Sequence, residues 1–189
     1  MEALQWFGDV MQAILKIIPR ILIVRSTHSG VKFVRGEKIV PLKPGIHIYW
    51  PVVTEVEIIP VARQTYNLSN QSLLTKDLKE VSVSPVIIYS INDIVRALAR
   101  SWDVNDTIND ITQLVVVEVV TTHTIQEILD GLQMDGIIEI KLTQITRKRL
   151  KRYGVRVHKC ALSDFTTSKV VKLINDTYSK ATQFTQPHG

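Results

Sequence analysis

Cysteine is nearly absent: Cys160 is the only one in 189 residues. An intrachain disulfide is therefore excluded, as is any metal site built from several thiolates, and a reducing compartment is the simpler setting. Long apolar runs are missing too. No stretch reaches eighteen consecutive uncharged apolar residues, so a conventional membrane-spanning helix is not expected. Catalytic signatures are equally scarce. His28, His47, His123, His158 and His188 stand at no metal-ligand spacing from one another. Ser26, Ser29 and Ser163 lack the glycine-flanked turn of a nucleophile elbow, and the glycines form neither a phosphate-binding loop nor a dinucleotide fingerprint. Cys160 falls in an apolar strand pattern, which suits a buried, inert thiol. Asp103, Asp106 and Asp110 can share one helix face, a pattern that a solvated surface explains. The expectation is a chain with no catalytic residue, no metal and no cofactor.

What is present is aliphatic and basic. The formal net charge is +5 and the pI about 9.4, a balance that favours anionic partners, either nucleic acid or acidic lipid. The chain opens with "MEALQWFGDVMQAILKIIPR". Glu2, Gln5, Asp9, Gln12 and Lys16 fall on a helical stripe only ~80° wide, and Pro19 ends the pattern. The rest of the wheel is apolar or glycine, including Trp6, Phe7, Met11, Ile14, Leu15 and Ile18. A secretory signal is disfavoured by Glu2 and by the lack of a cleavage site. Asp9 and Lys16 argue against a spanning helix. Two readings stay open: a helix lying in the lipid interface, and a helix packed on the protein's own core or on a neighbouring subunit.

From Ile21 the pattern changes to short β-branched runs broken at Ser29-Gly30, Gly36-Glu37, Pro44-Gly45 and Pro51, which predicts successive strands and tight turns. Pro60 predicts an edge position or a bulge. A strand follows the turn at Lys76-Asp77, with Val81, Val83, Val86, Ile88 and Ile91 as its apolar positions and Pro85 as the mark of an edge or an irregularity. Asn92 or Asp93 can cap a helix over "IVRALARSW", and Asn105 one over "DTINDITQLVVVEVV". Val115 to Val120 suit a strand as well as a buried helix. Thr124 and Glu127 form a capping box for a short helix that Gly131 is expected to end. "GIIEIKLTQITRKRLKRYG" reads as a helix with Ile137, Ile138, Leu142, Ile145 and Leu150 inward, closed by Gly154. "VRVHKCALSDF" reads as a strand, and a last helix is expected from Thr166 or Ser168. The fold class is α+β in two subdomains: a helix over 1–19, a β-rich part over 20–70, an α/β part over 71–165, and a short helix and tail over 166–189.

Arg147, Lys148, Arg149, Lys151 and Arg152 make the densest positive stretch. Its readings are a solvated helix end that complements the dipole, a contact with an acidic subunit or anionic headgroups, and a nucleic-acid contact.

Between Val24 and Phe165 the chain resembles the SPFH family, also called band 7 or prohibitin-homology, which includes stomatins, prohibitins and flotillins. The resemblance is carried, in order, by "GVKFVRGE" (30–37), "LKPGIHIYWPVVTEV" (42–56), "LLTKDLKEVSVSPVIIYSIND" (73–93), "HTIQEILD" (123–130) and "RYGVRVHKCALSDF" (152–165). It implies a non-enzymatic, membrane-associated scaffold that oligomerises laterally into a ring or patch, with a membrane protease, channel or lipids as partners. It implies attachment at a cytoplasmic face, or a host membrane or virion for a viral chain. The first subdomain of the family sits against the bilayer, which makes Tyr49 and Trp50 candidate interface residues beside the N-terminal helix. Family members usually continue into a long charged coiled-coil stalk; only Thr166 to Gly189 follow here, with no sustained heptads, so a tall cage is not expected. Two alternatives remain: a structural subunit of a viral or phage particle, with the N-terminal helix packed on protein, and a nucleic-acid module using Arg147 to Arg152.

Overall fold

The computed structural model describes residues 6, 8, 11, 18–133 and 136–167. Among the described residues, nine strands and four helices follow in order from Arg20: β1 (Arg20–Val24), β2 (His28–Val34), β3 (Lys38–Leu42), β4 (Gly45–Tyr49), β5 (Thr54–Pro60), β6 (Gln64–Asn67), β7 (Gln71–Leu74), β8 (Glu80–Ile91), α1 (Ile94–Arg100), α2 (Val104–Thr122), α3 (Ile125–Gln133), α4 (Ile137–Leu150) and β9 (Val155–Thr167). A 3₁₀ turn, Lys151–Tyr153, joins α4 to β9. This is the α+β class expected. The strands form a β1–β4 ribbon, a β3-β2-β5 sheet, and a larger sheet in which β6 and β7 share one edge of β8 and β9 runs along the other.

β8 organises the core. Its odd-numbered residues from Val81 to Ile91 are all buried, in unbroken period-two alternation. Val86 and Ile88 therefore lie on the opposite, half-buried face, and Pro85, Ile87 and Tyr89 take the core positions that the sequence pattern assigned to them. Pro85 costs no ladder bond because the β8–β9 register shifts between Ser84 and Pro85. Pro60 ends β5, an edge strand of its sheet.

The valine run resolves as helix. Val115, Val116, Val119 and Val120 are buried on one face of α2, where they meet Ile87 and Val83 of the sheet and Leu142 of α4 in a single cluster. That helix starts two residues earlier than Asn105 predicts. Asp103 is the N-cap, its carboxylate accepting from the Asn105 and Asp106 amides at 2.7 and 3.1 Å. The Asn105 side chain instead accepts from the Tyr89 hydroxyl at 3.1 Å. Asp93 caps α1 through the Arg96 amide. The capping box forms as expected, with the Thr124 amide donating to Glu127 at 2.7 Å and the Glu127 amide donating to Thr124 Oγ1 at 3.3 Å.

Gly131 does not end α3, which runs on to Gln133. A Cβ there would stand 2.7 Å from Ile138 Cγ1, so this glycine lets α3 approach α4 closely. Ile137 is exposed rather than inward, whereas Ile138, Leu142 and Leu150 are buried. Gly154 does close the α4 segment, at φ 73°. Thr166 lies within β9 and starts no helix; Ser168 and the expected last helix lie outside the described residues.

The turn from β7 to β8 is tied to the start of α3. Asp77 Oδ1 accepts from Thr75 Oγ1 at 2.7 Å and from the Ile125 amide at 3.1 Å, and Oδ2 pairs with Lys79 at 3.1 Å. The Thr75 hydroxyl above all, with Lys79 and the Ile125 amide, holds the Asp77 carboxyl down to about 2. A carboxyl whose folded pKa is depressed adds stability above its unfolded pKa near 4 and loses it as pH falls towards 2. Asp77→Asn is therefore expected to flatten the acid-unfolding profile between pH ~4 and ~2, read by circular dichroism. Parallel profiles for the two proteins would show that the carboxylate contributes nothing.

Candidate membrane-facing surface

β1 and β4 read "RILIV" and "GIHIY", apolar-rich and without an acidic residue. Their antiparallel register places Ile21 opposite Ile48 and Ile23 opposite Ile46, so four isoleucines share one face. All four point to solvent, at 70, 62, 69 and 74% exposure respectively. The other face carries Leu22 opposite His47 and Val24 opposite Gly45; Leu22 and His47 are half-buried and Val24 is buried. The apolar character continues into the β4–β5 turn, where Trp50, Val52 and Val53 are exposed. Cations stand at both ends of the ribbon: Arg20 at one, Arg25 and Lys43 at the other, all exposed. Exposed apolar faces rimmed by polar residues are commonly interaction surfaces, which makes this one the candidate site.

Trp50 extends the isoleucine face. Tyr49 does not: it pairs with Arg20 on the Leu22 side, is half-buried, and lines a shallow groove with Phe33 and Pro51. His47 Nε2 lies 2.7 Å from the Lys43 carbonyl, a bond that closes the β3–β4 turn. Of the N-terminal residues, Trp6 and Met11 have helical backbone and, like Ile18, are exposed; Phe7, Ile14 and Leu15 lie outside the described residues. The isoleucines were not among the sequence-predicted contacts, although two equal alternating segments flanking the hairpin carried the signal. No helix among the described residues is long and apolar enough to cross a membrane.

The basic stretch divides by helical geometry. Lys148 and Arg152, four residues apart, line a groove between α2 and α4 with Ile111, Leu114 and Ile145, and Arg149 pairs there with Glu118. Arg147 and Lys151, also four apart, face another pocket. One continuous strip for tracking a phosphate backbone is not formed.

Among the described residues, chemistry has one geometric candidate, and its polarity is wrong. Ser90 Oγ lies 2.9 Å from His158 Nε2, but Arg63 donates to His158 Nδ1 at 3.3 Å. Arginine cannot accept, so Nδ1 is the bare nitrogen and Nε2–H donates to the serine. A base acting on Ser90 would need the reverse. Burial, then Arg63, Arg156 and Arg147, push the His158 pKa down and keep the ring neutral. Cys160 is buried, and desolvation pushes its thiol up to about 11. Among the described residues, no three His, Cys, Asp or Glu side chains converge where a metal could be held. Asp103 is spent on its cap, and Asp106 and Asp110 are solvated.

The comparisons agree with this fold. The model of the SPFH domain / Band 7 family matches residues 22–183. An uncharacterized protein of Methanocaldococcus jannaschii is 25% identical over 88% of this chain and 83% of its own length, and one of Archaeoglobus fulgidus is 22% identical over 84% and 63%. Stomatin-1 of Caenorhabditis elegans is 26% identical over 76% of this chain. The chain thus spans less than two thirds of the Archaeoglobus relative, 63%, and 43% of Stomatin-1. The chain belongs to the SPFH domain / Band 7 family.

Proposed function

We propose that this chain is a non-enzymatic scaffold that lies on a membrane and associates laterally with copies of itself. The observation that carries the reading is the solvent-facing isoleucine quartet of β1 and β4, continued by Trp50 and Val52. Fully burying one such side chain is worth roughly 1.5–3 kcal/mol, and the flanking Arg20, Arg25 and Lys43 add attraction to anionic headgroups. The residues of 1–19, Trp6, Met11 and Ile18 among them, supply a second apolar contact. Each anchor is weak alone; several subunits presenting them together bind far more tightly, because the first contact raises the effective concentration of the rest. Flotation with liposomes tests this. The full chain is expected to float at low and at high salt, and a chain that stays at the bottom in both would end the membrane reading.

Lateral association has its own candidate surface. Trp102, between α1 and α2, is fully exposed. The α2–α4 groove offers an apolar floor of Ile111, Leu114 and Ile145 under the cations Lys148 and Arg152, a setting that suits an aromatic ring. We expect Trp102→Ala to weaken self-association by about 30-fold, a hot-spot loss of about 2 kcal/mol, without changing the fold. Light scattering across a concentration series checks it; identical mass profiles would remove Trp102 from the contact.

A further inference from the structure

The pocket that Arg147 and Lys151 face is lined by cations from three separate parts of the chain. Arg96 comes from α1, Arg147 and Lys151 from the end of α4 and the turn after it, and Arg156 from β9. Asn92, Asp93, Gly154 and Val155 complete the lining. The one carboxylate, Asp93, is already engaged: it caps α1 and pairs with Arg96 Nε at 3.0 Å. Among the described residues no carboxylate lies within ion-pairing distance of Arg147, Lys151 or Arg156.

Two of these guanidinium groups are also held in place. Arg147 donates to β9 twice, from Nε to the Val157 carbonyl at 3.0 Å and from Nη2 to the His158 carbonyl at 3.5 Å, which fixes the plane of its guanidinium. The Asn92 amide, with its oxygen turned to Arg156, accepts from Nε at 2.9 Å and Nη2 at 2.6 Å. Holding like charges together in fixed directions is unfavourable until an anion joins them, and planar N–H forks match the oxygens of a phosphate. Burial first, then Arg63, Arg156 and Arg147, disfavour the protonated form of the neighbouring His158.

We propose that this pocket binds a phosphate group, free or as a phosphomonoester, with Arg147, Lys151 and Arg156 as its donors. The proposal is independent of the membrane reading, which concerns β1 and β4. The test is calorimetric titration of the full chain with inorganic phosphate at constant ionic strength, chloride making up the balance. Saturable binding is expected, accompanied by a raised melting temperature. Lys151→Gln combined with Arg156→Gln should weaken it at least tenfold, while Lys148→Gln combined with Arg152→Gln, which removes the same charge from the other face, should leave it unchanged.

No saturable heat, or equal loss in the two double variants, would overturn the proposal. Vesicles separate the two sources of phosphate. If the group belongs to a lipid, phosphatidate will strengthen flotation over neutral vesicles more for the parent chain than for the Lys151/Arg156 variant, which keeps only the increment from Arg20, Arg25 and Lys43. If it belongs to a small solute, that increment will be equal for both proteins and only the solution binding will be lost. Flotation on neutral vesicles reads the apolar contacts without the phosphate pocket, so the two ideas fail separately.

Discussion

A chain carrying Ile23→Asp together with Ile46→Asp should lose its affinity for liposomes by about a hundredfold or more, while remaining folded. The two residues face each other across the β1–β4 ribbon and expose 69 and 74% of their surface. Moving both into the apolar part of an interface is worth roughly 3 kcal/mol, even with incomplete burial. Each 1.4 kcal/mol is a factor of ten, so removing them already costs more than a hundredfold, and a carboxylate pressed against lipid adds to the loss. Cooperation between subunits multiplies the effect. Stability should move little, because both side chains already contact water in the folded chain and exposed substitutions stay within about 0.5 kcal/mol each. Co-flotation and thermal melts of the same samples give both quantities. A variant that floats as well as its parent would show that the isoleucine face does not meet lipid.

The second large effect concerns folding. Gly154→Ala should destabilise the chain by about 3 kcal/mol, a fall in melting temperature of about 6–12 °C for a domain of this size. Two causes act together. The backbone sits at φ 73°, where a side chain is strained. A Cβ would also stand 2.3 Å from the Asp93 carbonyl oxygen and 3.0 Å from Asp93 Cβ. Neither atom can step aside, because the Asn92 and Asp93 amides donate to the Gly154 carbonyl at 2.9 and 3.1 Å and so lock the β8–α1 junction against the start of β9. Gly8 and Gly36 have open space around the position of a Cβ, so crowding of this kind does not arise there. An unchanged melting temperature in Gly154→Ala would mean that this junction yields at no cost.

How much of this was legible beforehand differs from element to element. Local signals succeeded where one side chain decides the outcome: Thr124 and Glu127 close their capping box because both partners lie within one turn. Val115 to Val120 were ambiguous because β-branched residues pack well in either state; burial of Val115, Val116, Val119 and Val120 against the sheet and α4 decided for helix. Val86 and Ile88 were misassigned because Pro85 looked like a break in phase, whereas a bulge absorbed it and left the alternation intact. Gly131 resembled a helix stop, but its smallness serves the approach of Ile138.

The candidate surface was half legible for a related reason. Tyr49 and Trp50 stood out by residue type, yet successive strand residues face opposite ways and only Trp50 joins the exposed side. Ile21, Ile23, Ile46 and Ile48 show a clear period, but a period names a face without saying what covers it. That became visible only when the register aligned the two strands and, among the described residues, left their isoleucine face exposed. Likewise the five clustered cations read as one patch along the sequence, while a spacing of four sorts Arg147 with Lys151 and Lys148 with Arg152 onto different faces.

Depth-dependent quenching on the bound chain tests the central claim most directly. Cys160 is buried and desolvation pushes its thiol up to about 11, so a probe can be attached at Ile46→Cys, and separately at Asp110→Cys on the solvated side of α2, with little reaction elsewhere. On vesicles whose acyl chains carry a quencher, the probe at position 46 should be strongly quenched and the probe at position 110 should stay as bright as in water. Equal brightness at both positions on vesicle-bound protein would contradict the account.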